Sequence, residues 1–176
     1  RTKPVSLSID FDNRQRGCLI SGPNAGGKTV ALKNIGLNAA MALAGIFPLG
    51  ECSLSPLKLY AAIGDHQSIE HNLSTFSSQL TRLKNILVEA DRQSLILVDE
   101  ICSGTDPQEG GALAAGIIDD FVEKQAFFVV TTHQSSLKTY ALAKNEILNA
   151  SMEFNHTSMT PTYRFLLGLP GNSYAF

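Results

Sequence analysis

Hydrophobic and polar positions along the chain form several strand-like patterns. Residues 5–11 place an apolar side chain at every second position, which predicts a strand with one buried face. Largely apolar runs predict strands buried in a parallel sheet, and these runs are residues 18–20, 94–98 and 126–132. Less uniform apolar segments predict three more strands, at residues 57–63, 147–154 and 163–167. A turn around residues 156–161 joins the last two.

Helical patterns lie between these runs. Residues 29–44 are apolar nearly all the way round, which predicts a helix buried against a sheet. Residues 76–87 carry apolar side chains at the spacing of an amphipathic helix. Residues 108–123 predict a third helix, with Leu113 on its inward face. The alternation of strands and helices predicts an α/β fold with a mostly parallel central sheet.

Composition narrows the class of protein. The 176 residues predict a single domain over residues 1–176 that needs no disulfides for its stability. The formal charge of -2 provides no basic surface for nucleic acid. Three cysteines without C-x-x-C pairing fit a reducing cytoplasm. The most apolar stretch, residues 31–49, is interrupted by polar residues, so we expect a core helix and no membrane partner. A first residue other than methionine suggests a domain of a longer protein.

The strongest chemical signal is a glycine-rich loop at residues 22–29, which has the G-x-x-x-x-G-K-[ST] spacing of a phosphate-binding loop. Glycines let backbone N–H groups approach an anion without interference from a Cβ atom. Lys28 brings a positive charge to the terminal phosphates, and the Thr29 hydroxyl is placed to ligate Mg²⁺. The following helix adds its N-terminal dipole. The predicted nucleotide-binding residues here are Gly22, Pro23, Asn24, Ala25, Gly26, Gly27, Lys28, Thr29 and Val30.

Polar side chains that follow two predicted strands complete the candidate site. Asp99 ends a buried strand, where a carboxylate faces the ligand crevice, and it is a candidate Mg²⁺ ligand together with Thr29. Glu100 is a candidate base for the attacking water. His133, after the next strand, is a candidate contact of the γ-phosphate. We therefore predict Glu100, His133 and Lys28 as catalytic residues. The alternative is that the carboxylates cap a helix and that the histidine is structural.

Two polar segments leave alternatives open. Ser74, Thr75 and Ser77 stand at the start of the second helix, where hydroxyl groups often act as caps. Residues 103–107 lie between the carboxylates and the third helix. This turn either contacts a neighbouring subunit or the catalytic water, or forms an ordinary helix start with proline in the first turn.

Taken together, the chain resembles the ATPase domain of the MutS proteins, and most of all their second bacterial branch, MutS-two. The resemblance rests on motifs in order at residues 22–29, 67–70, 73–77, 99–100, 104–110, 131–133 and 170–173. Ala25 stands where the mismatch-recognising branch prefers methionine, and Thr-Asp-Pro-Gln-Glu-Gly at 105–110 also favours MutS-two. Departures from the family pattern are Ile101-Cys102-Ser103, where the family tends to Leu-Gly-Ala, and Asn172 and Tyr174.

The resemblance implies a P-loop NTPase of ABC type, with an antiparallel portion in its sheet, that binds and hydrolyses ATP with Mg²⁺. It implies a head-to-tail homodimer in which ATP lies between the phosphate loop of one copy and Ser74, Thr75, Phe76 and Ser77 of the other. It further implies contacts with DNA or the ribosome through regions outside this chain, including a nuclease domain. The family roles are restraint of recombination and rescue of collided ribosomes.

Other functions stay open from the sequence. The alternatives are a mismatch-repair MutS ATPase domain and a non-hydrolysing nucleotide switch, and the presence of Glu100 and His133 argues against the switch. A transporter subunit would need a Leu-Ser-Gly-Gly-Gln signature, which the chain lacks. A small-molecule phosphoryl transferase is compatible with the phosphate loop alone.

Overall fold

A computed structural model of the chain describes residues 5–64, 72–155, 158 and 160–168. This part of the chain forms one six-stranded sheet and four α-helices. The strands are β1 (Gly17–Ser21), β2 (Lys58–Ala62), β3 (Ser94–Val98), β4 (Phe127–Thr132), β5 (Ile147–Asn155) and β6 (Thr160–Leu167). The helices are α1 (Lys28–Leu43), α2 (Asn72–Glu89), α3 (Pro107–Glu123) and α4 (Ser135–Leu142), with a 3₁₀ turn at Asn24–Gly26.

The sheet has the strand order β2-β3-β4-β1-β5-β6. Its first five strands pair in parallel, and only β6 is antiparallel to its neighbour β5. Strands β1 and β3 are buried along their whole length. The predicted α/β fold with a mostly parallel sheet and an antiparallel portion is therefore confirmed.

Alternate residues of each buried strand point to opposite sides of the sheet, so both sides carry apolar side chains. Helices cover both sides. On one side, Leu19 and Ile96 belong to a core that includes residues of α2, α3 and α4. On the other side, Ile20 and Leu97 pack with residues of α1. Each core covers one face of the sheet. The ends of the strands lie at the edges of the sheet, outside both cores. Within the described residues, no helix is long and apolar enough to cross a membrane.

The predicted strand at residues 5–11 is wrong, because this segment has no strand conformation. Its apolar positions Leu7, Ile9 and Phe11 are nevertheless partly buried against the α1 side of the core. Alternation therefore reports one buried face correctly. It does not establish that a neighbouring strand is available for hydrogen bonding.

Two details of helix burial differ from the predictions. Helix α1 is not buried all round, since Val30 and Leu37 are 65% and 54% exposed. Leu113 of α3 is also exposed, whereas Ile117 and Phe121 are buried as the spacing predicts. Apolar residues on every side of a helix do not indicate which side meets the sheet. Helix α4 was not predicted, because its eight residues are too few for a clear period.

The turn at residues 103–107 forms a regular helix start. The Asp106 carboxylate accepts hydrogen bonds from the backbone N–H groups of Gln108 and Glu109, and Pro107 begins the helix. These bonds satisfy donors that otherwise lack partners at a helix N-terminus. The helix-start interpretation is thus supported, and a contact with a subunit or with the catalytic water stays a prediction.

We expect Asp106→Ala to lower the free energy of unfolding by about 0.5–2 kcal/mol, the usual effect of removing such a cap. Urea denaturation followed by circular dichroism measures it. Asp106→Asn is the matched control, because its amide oxygen can still accept both bonds. Equal losses in the two variants would contradict the capping role.

Candidate nucleotide-binding site

The sheet topology brings the predicted site residues to one edge. Strand β1 ends at the phosphate loop, β3 ends before Asp99, and β4 ends before His133. In the parallel register, Ser21 lies opposite Thr132 and Val98 lies opposite Val130. The loops that follow these three strands are therefore neighbours at the carboxyl edge of the sheet, where open α/β sheets bind ligands.

Glycine is required in the phosphate loop for both conformation and space. Gly22 and Gly27 have φ angles of 141° and 92°, which side chains other than glycine rarely adopt. A Cβ atom on Gly27 would lie 2.9 Å from Cδ1 of Tyr163, and one on Gly26 would lie 3.3 Å from Cβ of Met152. The β5–β6 hairpin thus packs directly behind the loop.

Lys28 is buried inside this loop, with 1% of its surface exposed. Its Nζ atom donates hydrogen bonds to the carbonyl oxygens of Gly22 at 2.8 Å and Pro23 at 3.1 Å. It also forms an ion pair with Oε1 of Glu100 at 2.9 Å. The ammonium group therefore connects the phosphate loop to the carboxylate that follows β3.

Thr29 and Asp99 provide adjacent oxygen atoms. The Thr29 hydroxyl donates to Oδ2 of Asp99 at 2.9 Å, and the Thr131 hydroxyl donates to Oδ1 at 2.6 Å. Asp99 is only 2% exposed, so these bonds hold its carboxylate in place. A hydroxyl and a carboxylate next to a phosphate loop form the set of hard oxygen donors that Mg²⁺ prefers.

Glu100 stands between the positive charge of Lys28 and the imidazole of His133. Its Oε2 atom lies 2.5 Å from Nδ1 of His133. Burial raises the pKa of Glu100, but the hydrogen bond from His133 and the charge of Lys28 outweigh burial and hold the pKa below its ordinary value. The carboxylate is therefore ionised at neutral pH, as a group that accepts a proton must be.

The remaining predicted residues occupy more peripheral places. Ala25 is exposed, and Val30 projects from α1 with 65% of its surface exposed. In α2, Phe76 packs against the core and Ser77 is exposed. The side chains of Asn24, Ser74 and Thr75 lie outside the described part of the chain, as do the motifs at 67–70 and 170–173.

Sequence reasoning assigned no role to two residues that hold the carboxylate turn, residues 99–102, although Thr131 belongs to the motif at 131–133. The Thr131 hydroxyl accepts a hydrogen bond from the N–H of Glu100 at 2.8 Å in addition to its bond with Asp99. Gln79 of α2 bonds to the same turn from the other side. One signal was available, because Gln79 is a polar residue at the i+3 position after Phe76, on the apolar face of its helix.

Comparison with known proteins places the chain in a family. Residues 18–174 match the family model described as MutS domain V. The chain belongs to the MutS domain V family. Proteins named Endonuclease MutS2 from Halothermothrix orenii and Thermomicrobium roseum are 47% and 49% identical to it, over 100% and 99% of this chain. The one from Thermus thermophilus is 48% identical over 97% of this chain.

These matches confirm the predicted MutS family and support its second bacterial branch. The chain spans 23% of the Halothermothrix orenii protein and 22% of the Thermomicrobium roseum protein.

The depressed pKa of Glu100 predicts how the stability of this MutS domain V depends on pH. Its contribution is complete above the ordinary value of 4.5 and is lost as the pH falls through the lower pKa of the folded state. We expect the unfolding free energy of the wild type, relative to Glu100→Gln, to decrease as the pH falls below 4.5 toward the lower pKa of the folded state.

Chemical denaturation at several pH values measures this difference. The control is Glu123→Gln, which changes an exposed carboxylate on α3 and should follow the wild-type pH dependence. A difference between wild type and Glu100→Gln that stays constant or grows toward pH 3 would be inconsistent with the ion-pair geometry.

Proposed function

We propose that this chain binds and hydrolyses ATP with Mg²⁺ as the ATPase domain of a MutS2-type protein. The observation that carries the proposal is the contact of Glu100 with both Lys28 and His133, at 2.9 Å and 2.5 Å. A phosphate-loop cation, a carboxylate and an imidazole thereby form one hydrogen-bonded group. This combination suits phosphoryl transfer to water, in which positioning and charge stabilisation dominate.

The phosphate loop and Lys28 would bind the phosphates. Backbone N–H groups of the loop and the N-terminus of α1 offer hydrogen bonds and a favourable dipole to an anion. Lys28 needs an anionic partner because its ammonium is buried. A terminal phosphate would compete with Glu100 for Lys28 and loosen the ion pair between these two residues.

Thr29 and Asp99 would hold Mg²⁺, which when bound supplies positive charge to neutralise the phosphate oxygens. Their donor set fits this ion, since one hydroxyl and two carboxylate oxygens meet beside the loop. Thr131 keeps the carboxylate oriented and so acts on Asp99 without contacting the nucleotide.

Glu100 would accept the proton of the attacking water. The water oxygen forms a bond to the γ-phosphorus, the bond from that phosphorus to the bridging oxygen breaks, and ADP and phosphate leave. His133 orients Glu100 through Nδ1. The low pKa of Glu100 keeps it ionised before the reaction begins. General-base assistance of this kind contributes about 10²–10⁴-fold to a rate.

We further propose an ABC-type head-to-tail homodimer, in which residues 74–77 of a second copy contact the bound ATP. What supports it is the position of these residues in the first turns of α2, with Ser77 exposed. The relatives carry the name Endonuclease MutS2. For the whole protein we propose DNA processing, in line with that name, or ribosome rescue, which rests on the family resemblance alone. We assign both roles to regions other than this chain, because the formal charge of this chain, -2, offers no basic surface for nucleic acid.

We expect Glu100→Gln to bind ATP about tenfold more tightly than the wild type, which corresponds to about 1.4 kcal/mol. The substitution releases Lys28 from its ion pair and removes a negative charge near the phosphates. Isothermal titration with ATP measures the change. Glu123→Gln, which changes an exposed carboxylate at the end of α3, is the control and should bind as the wild type does. Unchanged or weaker binding by Glu100→Gln would contradict this role of the ion pair.

We also expect MgATP to double the mass of Glu100→Gln from the 18.9 kDa of one chain in sedimentation experiments. Adding Ser77→Arg should prevent the dimer without preventing nucleotide binding. Asn85→Arg, an exposed position further along α2, is the matched control. In a parallel assay the wild type should release phosphate at least 100-fold faster than Glu100→Gln.

These measurements separate the parts of the proposal. Failure of the wild type to bind ATP would overturn it altogether. Binding without turnover in the wild type would favour the non-hydrolysing switch. Turnover without a mass increase would retain the ATPase and remove the dimer.

A further inference from the structure

One buried amide connects the carboxylate turn to helix α2. Gln79 is 6% exposed. Its Nε2 atom donates to the carbonyl oxygen of Asp99 at 2.9 Å, and its Oε1 atom accepts from the N–H of Cys102 at 3.0 Å. The nitrogen and the oxygen of a single amide group therefore bridge the two ends of a four-residue turn.

The carboxylate turn depends on such contacts because its backbone is strained. Glu100 and Cys102 have φ angles of 47° and 51°, in the left-handed region that residues with side chains seldom adopt. Thr131 holds the turn from the β4 side, through its hydroxyl and its carbonyl oxygen. Gln79 holds it from the α2 side, so the position of Glu100 is determined jointly by a strand and a helix.

The same helix carries the segment proposed to contact the nucleotide of a second copy. Ser77 precedes Gln79 by two residues, so the two positions are only about 3 Å apart along the helix axis. A hydrogen-bonded helix moves as a unit over such a length. A displacement of the start of α2 would therefore reach the amide of Gln79, and through it the carboxylate turn.

We propose that Gln79 is a positioning residue that couples engagement of a second copy at the start of α2 to the placement of Glu100 in its own chain. This inference rests on the proposed function, because it requires both ATP hydrolysis and the trans contact of residues 74–77. Its consequence is that each copy adjusts its base in response to the nucleotide bound by the other copy.

The first test is Gln79→Met, which keeps the length and apolar stem of the side chain and removes both hydrogen bonds. We expect kcat for ATP hydrolysis to fall at least tenfold, while the Kd for ATP stays within about threefold of wild type and the mass of the MgATP-dependent dimer is unchanged. Asn85→Leu, which replaces an exposed amide of the same helix, is the control. Parallel losses in ATP binding, thermal stability and kcat would indicate a merely structural role and overturn the proposal.

The second test is a double-mutant cycle with Ser77→Ala, measured by kcat at saturating MgATP. If the trans contact acts through Gln79, Ser77→Ala should lower kcat in the wild type and have at least fivefold less effect in the Gln79→Met background. Equal effects in both backgrounds, or no effect of Ser77→Ala in the wild type, would overturn the coupling. If Gln79→Met does not fold, Gln79→Asn, whose shorter amide cannot span both partners, replaces it in the cycle.

Different results would overturn the proposed function and the coupling through Gln79. A wild-type chain that releases no phosphate from MgATP overturns the proposed function, and this inference with it. A wild-type chain that hydrolyses ATP, together with a Gln79→Met variant of unchanged kcat, overturns the coupling alone.

Discussion

The burial of one ammonium group is the constraint on which the rest of the site depends. Lys28 is 1% exposed, and a buried charge is unfavourable unless hydrogen bonds and an opposite charge accompany it. The carbonyl oxygens of Gly22 and Pro23 and the carboxylate of Glu100 provide these contacts. The phosphate loop therefore curls around Lys28, and the turn after β3 directs Glu100 toward it.

The position of Glu100 in turn requires anchors that lie outside the phosphate loop. Its backbone is in the left-handed region, and Thr131 and Gln79 bond to the turn that contains it. The Nδ1 atom of His133 forms a hydrogen bond with the second carboxylate oxygen of Glu100, Oε2. Because these anchors come from β4 and α2, the position of the Glu100 carboxylate depends on how these elements pack around it. The site is thus sensitive to movements of α2 that leave the phosphate loop unchanged.

Much of the fold could be predicted because it depends on local properties. Residues 94–98 form β3 as their apolar run indicates, and helix α1 begins beside the phosphate loop as expected. Since parallel strands end at a common edge, the polar residues that follow them were expected to meet there. The candidate site therefore emerged from motif positions alone, although the partners within it did not. The segment 5–11 shows the limit, since its pattern indicates a buried face and not a pairing strand.

The sequence by itself indicated the MutS family, the strands β1 to β6, the helices α1 to α3, and the chemical groups available at the sheet edge. It also predicted a strand at residues 5–11 that does not form, and it did not predict α4. Only the tertiary structure decided that α1 leaves Val30 exposed and that Thr131 and Gln79 hold the carboxylate turn. Thr131 lies 32 residues from Asp99, and Gln79 lies 23 residues from Cys102. Backbone propensity and apolar spacing act over a few residues, whereas hydrogen bonds between separate elements depend on how those elements pack against one another.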